Sequence, residues 1–125
     1  MILDTNALSA WADGNPACRP FFEQARRIVV PVIVLGEYLY GIRQSRFRDR
    51  YDGWLASVMP LVELASVTPV TADHYASLRL HLKSHGTPIP ANDVWIAALV
   101  RELRLPLLSN DQHFDQCPDL QRLTF

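Results

Sequence analysis

Apolar residues fall along this chain in two alternating patterns, short unbroken runs and longer stripes at helical spacing. That alternation predicts an α/β fold with a mainly parallel sheet. Met1 to Leu3 holds no polar residue, as a strand buried on both faces requires. Arg27 to Val30 is a second β-rich run, closed by Pro31, whose missing N–H suits the first turn of a helix. That helix carries Val32, Leu35, Leu39 and Ile42 on one stripe. A further helix runs from about Phe47 to Met59, with Phe47, Tyr51, Trp54 and Val58 recurring at steps of 4, 3 and 4. Leu61 to Val67 reads as a third strand. Thr71 then caps a helix bearing Tyr75, Leu78 and Leu82 that ends near Gly86. After a turn over Thr87–Pro90, Asn92 caps a helix whose stripe is Ile96, Leu99, Val100 and Leu103. Pro106 to Ser109 makes a fourth strand, a helical turn follows near His113, and Leu120 to Phe125 reads as a fifth strand.

The pattern has no internal repeat, low-complexity tract or linker, and 125 residues suit a single domain spanning 1–125. A hydrophobic content of 49% with 20% charged residues excludes a disordered chain. Two cysteines, Cys18 and Cys117, fit neither a disulfide framework nor a Cys-rich zinc site and read as small apolar fillers in a reducing compartment. The opening MILDTN lacks a basic leader, and no apolar run reaches the roughly 18 residues that span a bilayer, so the expectation is a cytoplasmic protein with no membrane partner. Twelve basic residues against thirteen acidic give a net charge of −1, which excludes a general polycation that coats nucleic acid. Eleven of the twelve are arginine, the residue suited to bidentate phosphate contacts.

In open α/β sheets ligands bind beyond the carboxyl ends of the strands, and four acids fall at such places. Asp4 ends the first strand and Asp111 follows the fourth; each can equally cap a helical turn. Glu37 is the only charged residue between Ile28 and Ile42. An isolated acid among apolar residues needs a cation, a proton or a route to solvent. Asp93 lies at the positive end of its helix, above the buried stripe, where a first-turn acid is also common. Four carboxylates meeting in one cleft repel each other unless a divalent cation neutralises them. Oxygen ligands without a Cys/His cluster point to Mg²⁺ or Mn²⁺. A metal-bound water is a nucleophile for phosphodiesters, so the set reads as phosphoryl-transfer hydrolysis.

The segments ILDTNAL, PVIVLGEYLYGI, PANDVWIAA and LLSNDQHF, in that order, resemble those of the PIN-domain ribonucleases, and of the VapC-like toxins of toxin–antitoxin pairs in particular. The resemblance runs from Met1 to Phe114. It implies a three-layer sandwich around a five-stranded, mainly parallel sheet of order 3-2-1-4-5, Mg²⁺- or Mn²⁺-dependent RNA cleavage, and a homodimer. It also implies inhibition by a small VapB-like antitoxin that inserts a segment into the active site. Transfer RNA and ribosomal RNA loops are both consistent with it as substrates. Residue by residue, the family's catalytic and metal-binding quartet falls on Asp4, Glu37, Asp93 and Asp111, its hydroxyl partners on Thr5 and Ser109, and supporting amides on Asn6 and Asn92. No acid of the quartet is missing.

Around these, Arg43, Arg46, Arg48 and Arg50 could grip RNA phosphates or simply form a solvated helix end diluted by Asp49 and Asp52. His81 and His85 read as a surface pair, His113 as a neighbour of the cleft, and Trp11, Trp54 and Trp95 as core or interface residues. Three other functions compete with a toxin nuclease. A phosphatase with an aspartyl nucleophile at Asp4 would want a second Asp where Asn6 stands, and an assisting Lys where Lys83 lies mid-helix. A housekeeping RNA-processing nuclease and a non-catalytic PIN-like module are the others.

Overall fold

The computed structural model describes all 125 residues, and its centre is a parallel sheet of very short strands. These are β1 (Ile2–Leu3), β2 (Val29–Pro31), β3 (Glu63–Ala65), β4 (Leu107–Leu108) and β5 (Arg122–Leu123). Their order is β3-β2-β1-β4-β5, every neighbouring pair is parallel, and Ile2 is in register with both Val29 and Leu107. Ile2, Leu3, Val29, Leu107 and Leu108 are fully buried, which explains why the three central strands carry no polar residue. The chain builds one half of the sheet outward from β1, then returns to build the other. Strand order therefore reverses beside β1, and a crevice opens at the carboxyl ends of β1 and β4.

Six helices cover the sheet: α1 (Thr5–Ala12), α2 (Arg19–Gln24), α3 (Val32–Arg43), α4 (Arg48–Val58), α5 (Pro69–Ser84) and α6 (Ala91–Leu103). One core of buried residues joins the strands to α1, α3, α5 and α6, and α5 packs along α6. Trp11 and Trp54 belong to its margin: Trp11 stacks on Phe22 at 4.1 Å and meets Trp54 edge-on, while the half-buried Trp95 stacks on Tyr75 at 3.9 Å. Cys18 and Cys117 are buried, unpaired fillers. His81, half-buried, and His85, exposed, stack on each other at the surface.

Several local expectations need correction. Pro31 ends β2 and stands just before α3 rather than inside its first turn. The buried stripe of α3 is Val34, Tyr38 and Ile42, with Leu35 and Leu39 at its edge, while Val32 is 44% exposed. The helix is apolar on nearly every side, so spacing alone leaves its phase open. Phe47 precedes α4 and is exposed. Thr68, not Thr71, is the N-cap of α5: Pro69 occupies the first helical position, and Thr71 is the reciprocal member of a capping box with Thr68. The third strand shrinks to Glu63–Ala65 because a 3-10 turn takes Met59–Leu61. The short α2, with Pro20 near its start and no buried residue, gives no apolar stripe to read.

Candidate active site

Four elements deliver one acid each to the crevice. Asp4 leaves β1 and caps α1, Glu37 projects from the middle of α3, Asp93 lies in the first turn of α6, and Asp111 follows β4. Asp4 is only 5% exposed and is held by three hydrogen-bond donors, which leaves Oδ1 with a free lone pair. Its Oδ1 accepts the Thr5 N–H at 2.7 Å; its Oδ2 accepts the Ser109 hydroxyl at 2.7 Å and the Asn6 amide at 2.5 Å. Ser109, itself fully buried, also accepts the Asp111 N–H at 3.0 Å, and Asn6 accepts the Asn110 N–H at 3.1 Å. The β1 and β4 ends are thus stitched into one rigid polar plate.

Glu37 is anchored from two sides. The Thr5 hydroxyl donates to Oε2, and the Asn92 amide donates to Oε1 at 2.7 Å. That second bond corrects the reading of Asn92 as a helix cap: the residue before α6 is Pro90, and Asn92 lies inside the first turn with its side chain turned to α3. An acid surrounded by apolar sequence therefore finds its partners on other elements, at sequence distances of 32 and 55 residues.

Electrostatics bind the acids into one group. Burial first, and then the charges of Asp4 and Asp111, raise the Asp93 carboxyl to about 6 against the lowering pull of His113. Asp4 is also raised, by burial first and then by Glu37 and Asp111, against the lowering bonds from Ser109 and Thr5. Oxygen atoms of Asp93 and Asp111 and a ring nitrogen of His113 lie within 4.8 Å of one another. His113 Nδ1 is 3.4 Å from Asp93 Oδ2 and 3.3 Å from Asp111 Oδ1. The sequence put His113 beside the cleft without a role, and the signal for one was its place two residues past Asp111, where the 3-10 turn Gln112–Gln116 folds it back. Two further residues escaped notice. Asn110 accepts the Phe125 N–H, and Arg122 spans Asp115 and the Ser109 carbonyl, tying β5 to the plate from behind.

A hard divalent cation fits this donor set. The ligand atoms on offer are carboxylate oxygens with one imidazole beside them, no thiolate is near, and the mutual repulsion that raises Asp93 and Asp4 is what a cation relieves. The arginines are less close. Arg43, Arg46, Arg48 and Arg50 are exposed and none bonds to the four acids. Arg48 pairs with Asp52, Arg46 lies over the Phe47 ring, and Arg50 lies over Tyr51.

Comparison with known proteins identifies a family and a fold. The family model described as PIN domain matches residues 1–120. Ribonuclease VapC5 of Mycobacterium tuberculosis is 28% identical over 116 residues, covering 90% of this chain and 84% of that one. Ribonuclease VapC2 of Haemophilus influenzae is 28% identical over 112 residues, covering 88% and 85%. Among solved structures, VapBC2 from Rickettsia felis bound to a promoter DNA fragment superposes with a TM-score of 0.89 at 24% identity, over 98% of this chain and 96% of that one. VapBC from Salmonella typhimurium bound to DNA follows at 0.87 and 23%, with coverage of 98% and 96%. At that identity the two structures speak for the fold.

Proposed function

The chain belongs to the PIN-domain family, and from that premise we propose that it is a metal-dependent endoribonuclease, the toxin of a toxin–antitoxin pair. The observation that carries the reading is the convergence of Asp4, Glu37, Asp93 and Asp111 from four elements on one electrostatically coupled crevice. The relatives named ribonuclease VapC support the activity, and the VapBC complexes support a VapB-like antitoxin as partner. Substrates are loops of structured RNA such as transfer or ribosomal RNA. The whole chain acts as one PIN domain, as a homodimer in the cytoplasm. No helix is long and apolar enough to cross a membrane.

Mg²⁺ or Mn²⁺ is the cofactor the donors fit, and when bound it supplies an acidified water and neutralises charge developing on the phosphate. Asp4, Asp93 and Asp111 would hold the cation. Glu37, fixed by Thr5 and Asn92, orients a water at the open side of the cleft. Three donors fix the Asp4 carboxylate, so it would present its oxygens to a bound cation in one orientation. The amino ends of α1 and α6 face the same crevice, and their backbone N–H groups favour an anionic substrate there. In the reaction water oxygen would bond to phosphorus as the bond to one ribose oxygen breaks, the water's proton passing through the carboxylates and the leaving ribose oxygen taking up a proton to become a hydroxyl.

The charge balance becomes intelligible in this light. Setting those four acids aside leaves twelve basic residues against nine of the thirteen acidic ones, so a near-neutral total conceals a mildly basic body around an acidic cleft. The test is brief expression in a bacterial host with sequencing of RNA 5′ ends. Growth arrest, new 5′ ends at a few loops, relief by the antitoxin encoded beside it, and silence of Asp4→Ala and Asp93→Ala are expected. Unchanged RNA in a host expressing folded protein would overturn the reading.

A further inference from the structure

A groove of about 260 Å³ opens off the acidic crevice, and Thr5 and Glu37 line both. Away from that shared edge it is walled by Ile42 and the rings of Tyr38 and Tyr51, with Asp13 at its rim. Tyr38 is 4% exposed, and its hydroxyl is the one buried side-chain polar atom in the chain without a hydrogen-bond partner. A buried hydroxyl left unpaired costs about 1–3 kcal/mol, so a native fold keeps one where something else completes it. Beside it, Tyr51 donates to Asp13 at 2.7 Å, which leaves the second carboxylate oxygen of Asp13 free. None of the nine lining residues is Lys or Arg, so the groove repels phosphate; Arg50 instead lies over the Tyr51 ring, 5.7 Å from its centre.

The geometry points to a base-selecting pocket: the groove takes one nucleobase flanking the cut phosphate, and it favours a base with an exocyclic amino group over uracil. This rests on the nuclease reading above and adds to it a determinant of sequence preference. The walls offer apolar and aromatic surface for a base face, as single-stranded RNA recognition needs, while the phosphate beside the base meets Arg50. Asp13 accepts the amino group, which carries two donors. Tyr38 donates to the ring nitrogen or carbonyl next to it. In uracil the ring N–H is flanked by two carbonyl oxygens that would abut the Asp13 carboxylate. The Tyr38 hydroxyl is buried, with Tyr51 and Asp13 among its neighbours, so an entering base would have to turn the Tyr51 hydroxyl off Asp13 to reach it.

2′-O-methyl oligonucleotides that differ in one base, titrated in Mn²⁺, checked intact on a gel afterwards and followed by tryptophan fluorescence, test this without requiring turnover; Tyr38 lies 6.0 Å from Trp54, ring centre to ring centre. Wild-type protein is expected to bind the cytosine oligonucleotide about tenfold tighter than its uracil counterpart at one fixed position, the worth of about one good hydrogen bond. Tyr38→Phe should bring the two within about twofold while melting no lower than wild type. Gly41→Leu, whose first side-chain carbon meets nothing within 4 Å in the fold, should fill the groove and weaken both by about tenfold or more. In parallel, 5′ ends from cleavage of a randomised RNA should show the same preference. A chain that cuts RNA with no base preference, or a Tyr38→Phe variant that keeps it, overturns the pocket. So does loss of antitoxin affinity in Tyr38→Phe with base preference intact, which would make the groove a peptide seat. A chain that binds with the predicted preference yet cuts no RNA would sink the nuclease reading and leave the pocket standing.

Discussion

Asparagine at position 93 should make the metal-free protein more stable while abolishing its proposed activity, and the magnitude follows from the site. Raising a carboxyl from 3.8 to about 6 costs about 3 kcal/mol once the group is ionised, at about 1.4 kcal/mol for each tenfold in proton affinity. The Asp93 side chain is only 16% exposed, so solvent screens little of this. The sign is fixed by linkage. Folded protein holds the Asp93 proton more tightly than unfolded chain, so that stability is full below about pH 4 and is lost as pH rises through about 6. Asp93→Asn carries a neutral group at every pH and never loses it. In EDTA at pH 7.5 the variant should exceed wild type by up to about 3 kcal/mol, or about 10 °C in Tm for a domain of this size. At pH 4.5 the gap should shrink to about 1 kcal/mol. Urea melts at the two pH values measure both quantities. Saturating Mn²⁺ should close the pH 7.5 gap from the other side, because the cation binds folded wild type. A variant no more stable than wild type in EDTA at pH 7.5, or a gap that ignores pH, would refute the claim that Asp93 is held ionised at a cost.

Ser109→Ala removes a fully buried hydroxyl that serves Asp4, Asn6 and Asp111, and should cost about 2–3 kcal/mol in urea melts. The same variant should weaken Mn²⁺ binding by about 10–100-fold in calorimetry, since the carboxylate it orients comes loose. Thr71→Val breaks a buried bond set on the far side of the fold, where the Thr71 hydroxyl accepts the Thr68 N–H and donates to Glu102. It should cost about 1–3 kcal/mol and leave Mn²⁺ affinity as it was. A Thr71→Val protein with impaired metal binding would show that stability and site are not separable.

What could be read in advance divides by the range of the interaction. Strands two or three residues long were legible because Ile2–Leu3 and Leu107–Leu108 are apolar on both faces and each is followed within three residues by an acid. The same logic found Asp4 and Asp111, and charge isolation found Glu37. Partners across the fold were not legible: Asn92 looked like a cap because Asn caps helices, and only the packing of α6 against α3 turns it to Glu37. Thr68 and Thr71 were both plausible caps, and Pro69 in the first helical position was the clue that decides between them. Tyr38 counts as apolar in any stripe, so its unpaired hydroxyl emerges only when the α3 phase is known. His113 depended on a tight turn whose hydrogen bonds lie within five residues but carry no apolar period.

If the four converging acids form a metal-dependent RNA-cutting centre, RNA cleavage must follow the cation as it is withdrawn and returned. Purified chain is mixed with a fluorophore–quencher RNA hairpin, and cleavage is followed in Mn²⁺, in Mg²⁺ and in excess EDTA, with Asp4→Asn and Asp93→Asn alongside. Cleavage that requires the cation, returns when Mn²⁺ is added back after EDTA, and disappears in both variants is the predicted result. Cleavage that continues undiminished in EDTA, or that survives in both variants, would contradict it.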